Sequence, residues 1–220
     1  MSQPFVRWDW VVGHLDDIGT HTIEHLRLTG LSMGIGLVLA IALSAFALRW
    51  RRSYAPIIGV TGVLFTIPSL AAFAVLVPFT GLTTTTATVP LVTYTLLILV
   101  RNIVTGVDGV PSDIRDAALG MGYRRWRLLW EIELPLALPA IMAGIRIATV
   151  TVVGLVTVTS LIGLGGLGSL ILQGIRRGSV PFPTPIVVGT IASAALAATL
   201  DVGLLGLQRV LTPWLRRSER

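Results

Sequence analysis

The chain has 220 residues, of which 53% are hydrophobic and 13% charged, with a mean hydropathy of +0.81 and a formal charge of +6. That composition excludes a soluble domain and predicts a polytopic membrane protein. Having no cysteine, it excludes disulfides, thiolate chemistry and zinc–thiolate sites; having no lysine, it also excludes a Walker-type phosphate loop, so any ATP-driven work belongs to a partner chain. All seventeen basic residues are arginine, and they lie at the ends of apolar runs, so the charge reads as membrane topology rather than as a nucleic-acid surface.

The first 20 residues lack the long apolar stretch and small-residue cleavage site of a signal peptide. Trp8, Val11, Val12, Leu15 and Ile18 share one helical face, which predicts a short helix along the membrane surface over residues 1–22, with Trp8 and Trp10 at headgroup level. His21, Glu24 and His25 then match the H-x-x-E-H pattern of inverted zinc peptidases, with the histidines four apart on one face. The alternative is a polar cluster at the mouth of a span. A peptidase also needs a third ligand and a sizeable soluble domain, neither of which follows, so no metal is expected.

Residues 28–48 form the first predicted span, with Gly30, Gly34 and Gly36 available for close helix packing and Arg49, Arg51 and Arg52 as a cytoplasmic stop. Residues 54–77 form the second, with Pro68 inside it. A proline there frees a carbonyl and kinks the helix, so Pro68 and Ser69 mark either a pathway-lining bend or a purely structural kink. An uncharged threonine-rich loop leads to the third span, residues 89–104. Aromatic faces hold quaternary ammonium groups, which makes Phe65, Phe73 and Tyr94 further pathway candidates, although aromatics in spans more often serve packing.

The longest polar interruption follows. Asp113 is placed to cap a helix and Asp116 stands three residues later. Ile114, Ala117, Ala118 and Met121 make a narrow apolar face, Gly120 and Gly122 predict a sharp stop, a basic amphipathic piece runs from Tyr123 to Trp130, and Pro135 and Pro139 lead into the fourth span, residues 136–161. On residue chemistry this is either a knob that docks on another protein or an amphipathic loop lying on headgroups. Glycines Gly163, Gly165, Gly166, Gly168 and Gly174 predict a non-helical or re-entrant excursion before the fifth span, residues 185–211. Arg146 lies eleven residues after Pro135 and Asp201 ten before Leu211, so the two reach similar depth and are expected to pair.

Asp116-Ala117-Ala118, Gly120 and Ile132-Glu133-Leu134-Pro135 together resemble the signature cytoplasmic loop of ABC importer permeases, which begins Glu-Ala-Ala, has a glycine four residues after its start and ends Ile-x-Leu-Pro. Aspartate replaces the usual glutamate and shortens the arm. The element IGLGGLGSLILQG, residues 162–174, resembles the Gly-rich stretch of permeases for glycine betaine, choline and carnitine; methionine-type permeases have a similar one. A phosphate-binding reading of those glycines fails because no strand precedes them.

The resemblance implies an all-α integral membrane protein of about five transmembrane helices, with a coupling-helix loop (residues 111–135) between spans three and four. It implies residues 23–212 as the transmembrane domain, residues 213–220 as a tail holding Arg216, Arg217 and Arg220, and an inner-membrane location. Arginine clusters after span one, between spans three and four and after span five predict that those faces are cytoplasmic, with the amino terminus outside. Arg176 and Arg177 are then the exception, landing outside. The implied partners are ABC ATPase subunits that carry ATP and magnesium, a second permease copy (identical or paralogous), an extracytoplasmic solute-binding protein and membrane lipid. No cofactor on this chain is implied. The implied function is import of a quaternary-ammonium osmoprotectant. Methionine is the alternative solute, a zinc peptidase is a different-class alternative, and a channel working without ATPase partners is a third reading.

Overall fold

The computed structural model describes residues 6–177 and 183–214, and every regular element among them is helical. Helix α1 (Trp8–Gly13) stops at His14, whose ring stacks on Trp10 with centroids 4.2 Å apart. Helix α2 (Leu15–Arg49) then runs 35 residues without a break. The first membrane helix therefore starts well before the apolar run at residue 28. No proline interrupts 15–28, and Asp16 and Asp17 in the first turn favour the positive end of the helix dipole. Of the two tryptophans expected at headgroup level, Trp8 is exposed, but Trp10 is buried against Leu167 and Leu170.

The second apolar run breaks sharply at Pro68. Helices α3 (Tyr54–Thr66) and α4 (Ser69–Thr80) meet at 89°. Ile67, which precedes proline, is extended at ψ 128°, as the proline ring demands of its neighbour. The Ile67 carbonyl, lost to the helix ladder, accepts a hydrogen bond from the Tyr94 hydroxyl. Among the described residues four helical stretches are long and apolar enough to cross a membrane, or five if the bent α3–α4 pair counts as one.

Helix α5 (Thr84–Asp108) is the centre of the bundle, packed between α2 and α8 (Leu134–Thr159). In lipid, helices gain nothing from hiding apolar surface from water, so close packing of small residues must hold them together. Three contacts do so. A Cβ on Gly36 would come within 2.1 Å of Thr95 Oγ1, one on Gly144 within 2.4 Å of Asn102 Cβ, and one on Gly106 within 3.0 Å of Ala140 Cβ. Gly30 and Gly34, expected to share this role, face open space. Ala40, Ala47, Leu99, Val100, Val104 and Ala148 fill the core between the three helices.

Between α5 and α8 lie the short helices α6 (Ser112–Gly120) and α7 (Arg125–Leu128) and a π-helical turn, Leu129–Glu133. Helix α9 (Gly168–Arg176) packs on α10 (Pro183–Leu211), whose outer face, including Ile191, Val202 and Val210, is exposed. Arg216, Arg217 and Arg220 of the expected tail lie outside the described residues.

Candidate functional site

The segment 111–135 stands off the end of the bundle where α5 finishes and α8 begins. Its first helix starts one residue before the expected cap. Pro111, with φ −56° and no N–H to satisfy, precedes Ser112, so Asp113 falls inside the first turn and makes no capping hydrogen bond. Its carboxylate still favours the helix through the dipole. The turn that ends α6 belongs to Gly122 rather than Gly120. Tyr123 N–H donates to Ala118 O at 3.1 Å and Gly122 N–H to Leu119 O at 2.9 Å, with Gly122 at φ +84°, the pair of bonds that closes a helix on a left-handed residue. Gly120 is the last helical residue, and a Cβ on it would touch nothing within 4 Å.

The expected face splits in two. Ala118 is 1% exposed and anchors the helix, together with buried Val110 and Leu128, while Ile114, Ala117, Leu119 and Met121 are exposed. Met121 reaches 71%, and Trp126 and Trp130 further along the segment are exposed as well. Asp113 and Asp116 are exposed among these apolar groups. The result is a small apolar protrusion dotted with acids, open on the side away from the bundle. Helical bonding loosens to the π pattern just ahead of Pro135, whose ring would clash with the carbonyl four residues back in a regular helix.

Arg115 is half-buried, between exposed Ile114 and Asp116. It reaches the carbonyl of Val107 in α5 and the carboxylate of Glu133 in the π turn. Arg127 and Glu131 form a local pair at 2.8 Å across the start of that turn.

At the opposite end of the bundle the H-x-x-E-H motif and the glycine-rich element meet. Gly163, Gly165 and Gly166 have φ of +78°, +80° and +83°, which turns the chain back from α8 into α9. Glu24 Oε2 accepts the Gly166 N–H at 3.0 Å and lies 3.0 Å from His21 Nδ1. His25 is fully buried. Its Nε2 lies 3.0 Å from Val153 O and its Nδ1 accepts the Leu167 N–H at 3.3 Å, a pairing that needs the neutral ring with its proton on Nε2. Both ring nitrogens are committed to backbone, so His25 has no lone pair for a metal, and the zinc-peptidase geometry is not formed. Gly168 packs so closely that a Cβ would overlap Thr157 O at 2.0 Å. An open depression of about 730 Å³ beside this clamp is lined by Glu24, Arg27, Leu28, Leu82, Thr84 and Gly165.

Replacing His25 with alanine would orphan the buried Leu167 N–H and leave a hole. The cost is about 1–3 kcal/mol for the unpaired donor alone, so a lowered melting temperature of the detergent-solubilised chain is expected. Added zinc should not change the melting temperature of the unsubstituted chain.

The bend at Pro68 gathers some of the pathway candidates. Phe65 and Tyr94 contact edge to face at 5.6 Å, Ser69 is half-buried, and an apolar cavity of about 300 Å³ in the crook is lined by Ile67, Ala71, Ala72, Pro90 and Tyr94. Phe73 is elsewhere, fully buried among Leu28, Ala87, Leu91, Val152 and Val156, so it packs the core and offers no face to a passing solute. Arg146 and Asp201 meet as a bidentate pair, Nε to Oδ1 at 2.7 Å and Nη2 to Oδ2 at 2.8 Å, joining α8 to α10. Arg146 lies about 18 Å along α8 from Leu134, near the middle of that span.

Residues 30–217 match the family described as binding-protein-dependent transport system inner membrane component. The chain is 35% identical to the osmoprotectant import permease protein OsmW of Salmonella typhimurium over 197 residues, covering 87% of this chain and 90% of that one. It is 34% identical to the glycine betaine/carnitine/choline transport system permease protein OpuCB of Bacillus subtilis, with 87% of each covered, and 35% identical to the carnitine transport permease protein OpuCB of Listeria monocytogenes, with 90% of each covered. Among solved structures, an inward-facing methionine ABC transporter, MetNI, superposes with a TM-score of 0.77 at 20% identity, covering 96% of this chain and all of that one; at that identity the likeness speaks to fold alone.

Proposed function

We propose that this chain, which belongs to the family of binding-protein-dependent transport system inner membrane components, is the permease subunit of an ATP-driven importer for a quaternary-ammonium osmoprotectant such as glycine betaine, choline or carnitine. It is a transport subunit and not an enzyme. The observation that carries the coupling role is the exposed apolar protrusion at Ile114, Leu119 and Met121, on a helix closed by Gly122 and rooted between α5 and α8. A lipid-facing loop has no need of Asp113 and Asp116 among its apolar residues; a docking knob uses them to choose a basic partner.

In this reading two such chains, identical or paralogous, form the pathway at their shared face. A pair of ATPase subunits holds the 111–135 loops from the cytoplasm, and ATP and magnesium reside on those subunits. A solute-binding protein delivers its load at the end that carries Glu24 and the glycine-rich loop, which places the amino terminus outside and the carboxy terminus inside. ATP binding closes the ATPase pair, the two loops move with it, and the bundles rock from inward-open to outward-open. Phe65, Pro68, Ser69 and Tyr94 at the α3–α4 break are the groups placed to line the pathway, since irregular backbone at membrane depth is tolerated where it is buried or borders a cavity.

Methionine is the competing solute, suggested by the resemblance of the glycine-rich element to that of methionine-type permeases, whereas the relatives at 34–35% identity are named for osmoprotectants. Uptake of labelled glycine betaine, choline, carnitine and methionine by cells expressing the chain with its ATPase and binding protein separates the two. Saturable, ATP-dependent uptake of one of the first three is expected. Uptake of methionine alone would replace the solute, and uptake without the ATPase would sink the importer reading.

A further inference from the structure

The loop must not only be gripped; its displacement must reach the spans. Helix α6 is joined to α5 by residues 109–111 and to α7 by the Gly122 turn, neither of them regular helix. Arg115 bypasses them. One guanidinium nitrogen, Nη2, donates to the Val107 carbonyl in the last turn of α5. Its Nε lies 2.7 Å from Glu133 Oε1, on the residue that ends the π turn and leads into α8. That Nε–H does not point along the line to the carboxylate, so this arm is a charge contact more than a linear hydrogen bond. Both partners are sheltered, with side-chain exposures of 26% for Arg115 and 15% for Glu133, so the contact is less screened than the surface pairs nearby.

What Arg115 holds is itself stiff. Helices α5 and α8 interlock at Gly106 against Ala137 and Ala140 and at Gly144 against Asn102, spacings that leave no room to slide. The π turn between α7 and α8 is the opposite: five residues outside the regular α ladder, a pattern found frequently at functional sites. A rigid body, a short lever and an irregular joint therefore converge on one guanidinium. We propose that Arg115 is the positioning residue that passes the movement of α6 to α5 and α8 together, with the Leu129–Glu133 turn as the joint that yields. The proposal rests on the coupling reading of the loop and adds the route of transmission.

The test is the number of ATP molecules hydrolysed per glycine betaine imported, measured on the full complex in vesicles, with recovery of the ATPase on the purified permease measured in parallel. Arg115→Ala is expected to retain ATPase binding and hydrolysis while that ratio rises about tenfold. Arg115→Lys keeps the charge and loses the two-armed fork, and Glu133→Gln keeps the shape and loses the charge, so each is expected to raise the ratio by a smaller factor, about two- to fourfold. If Arg115→Ala does not accumulate, those two variants decide by the same ratio. An unchanged ratio overturns the proposal. So does a parallel fall of hydrolysis, uptake and ATPase recovery, which would make Arg115 part of the docking surface. Should glycine betaine not stimulate the wild-type complex, the ratio is taken with choline, carnitine or methionine instead; a wild-type complex whose hydrolysis none of the four stimulates would remove the importer reading and this proposal with it.

Discussion

Leu119→Asp combined with Met121→Asp will reduce solute uptake about a hundredfold or more while leaving the permease folded in the membrane. The two side chains are 48% and 71% exposed, and substitution at such positions shifts stability by only about half a kcal/mol in either direction. Against a partner's apolar groove the same carboxylates would be desolvated without a counter-charge, and losing central anchors of an interface costs about 2 kcal/mol or more each. The measurement is paired: uptake and ATPase recovery should collapse together, and the melting temperature of the isolated permease should not move. Full uptake by the double variant would mean that this protrusion is not the contact, leaving a loop that rests on headgroups.

Asp201→Ala will lower the amount of folded chain in the membrane several-fold. Asp201 answers Arg146 through both carboxylate oxygens, and its loss leaves a guanidinium near the middle of a span with no anion beside it. Breaking a pair from one side is worse than removing both charges. The double replacement Arg146→Met with Asp201→Leu is therefore expected to restore the level in membranes and the melting temperature nearly to those of the native chain. Uptake by that double variant then reports the role of the pair: recovery marks a structural tie between α8 and α10. A double variant that is folded but inactive marks a pair that works in the transport cycle. Asp201→Ala accumulating normally would contradict the account of both charges.

Much of this was legible in the residues because local chemistry and global fold agree there. The helix count, the polar loop and the Arg146–Asp201 depth match follow from apolar run length and the fixed rise of a helix, which a bilayer enforces. The misses have physical causes as well. Pro68 was legible as a break, but whether the chain bends mildly or parts at 89° depends on whether the Ile67 carbonyl, turned out of the helix, finds a donor, and the Tyr94 hydroxyl that donates to it comes from 27 residues away. Glycine position alone does not say which glycine meets a neighbour: Gly36 does, Gly30 and Gly34 do not. At His21, Glu24 and His25 the spacing suits a metal site and a polar cluster alike, because ligands and hydrogen-bond clamps use the same atoms. Only the return of residues 163–167 alongside α2 decides for the clamp. Gly120 and Gly122 were both legible as a stop, but only the backbone shows that the left-handed closure falls on Gly122. The reach of Arg115 to Val107 and Glu133 was not legible, because it depends on how α6 folds back towards α5 and α8.

Because the chain has no cysteine, a single thiol placed at Met121 is unique, and it addresses the docking claim directly. In membranes holding the whole importer, Met121→Cys treated with a short thiol-to-amine cross-linker should give one adduct of permease plus ATPase subunit, with a yield that changes when ATP is added. A thiol at exposed Val75, in the α4 helix, should give none. An ATPase adduct from Val75→Cys and none from Met121→Cys would contradict the account.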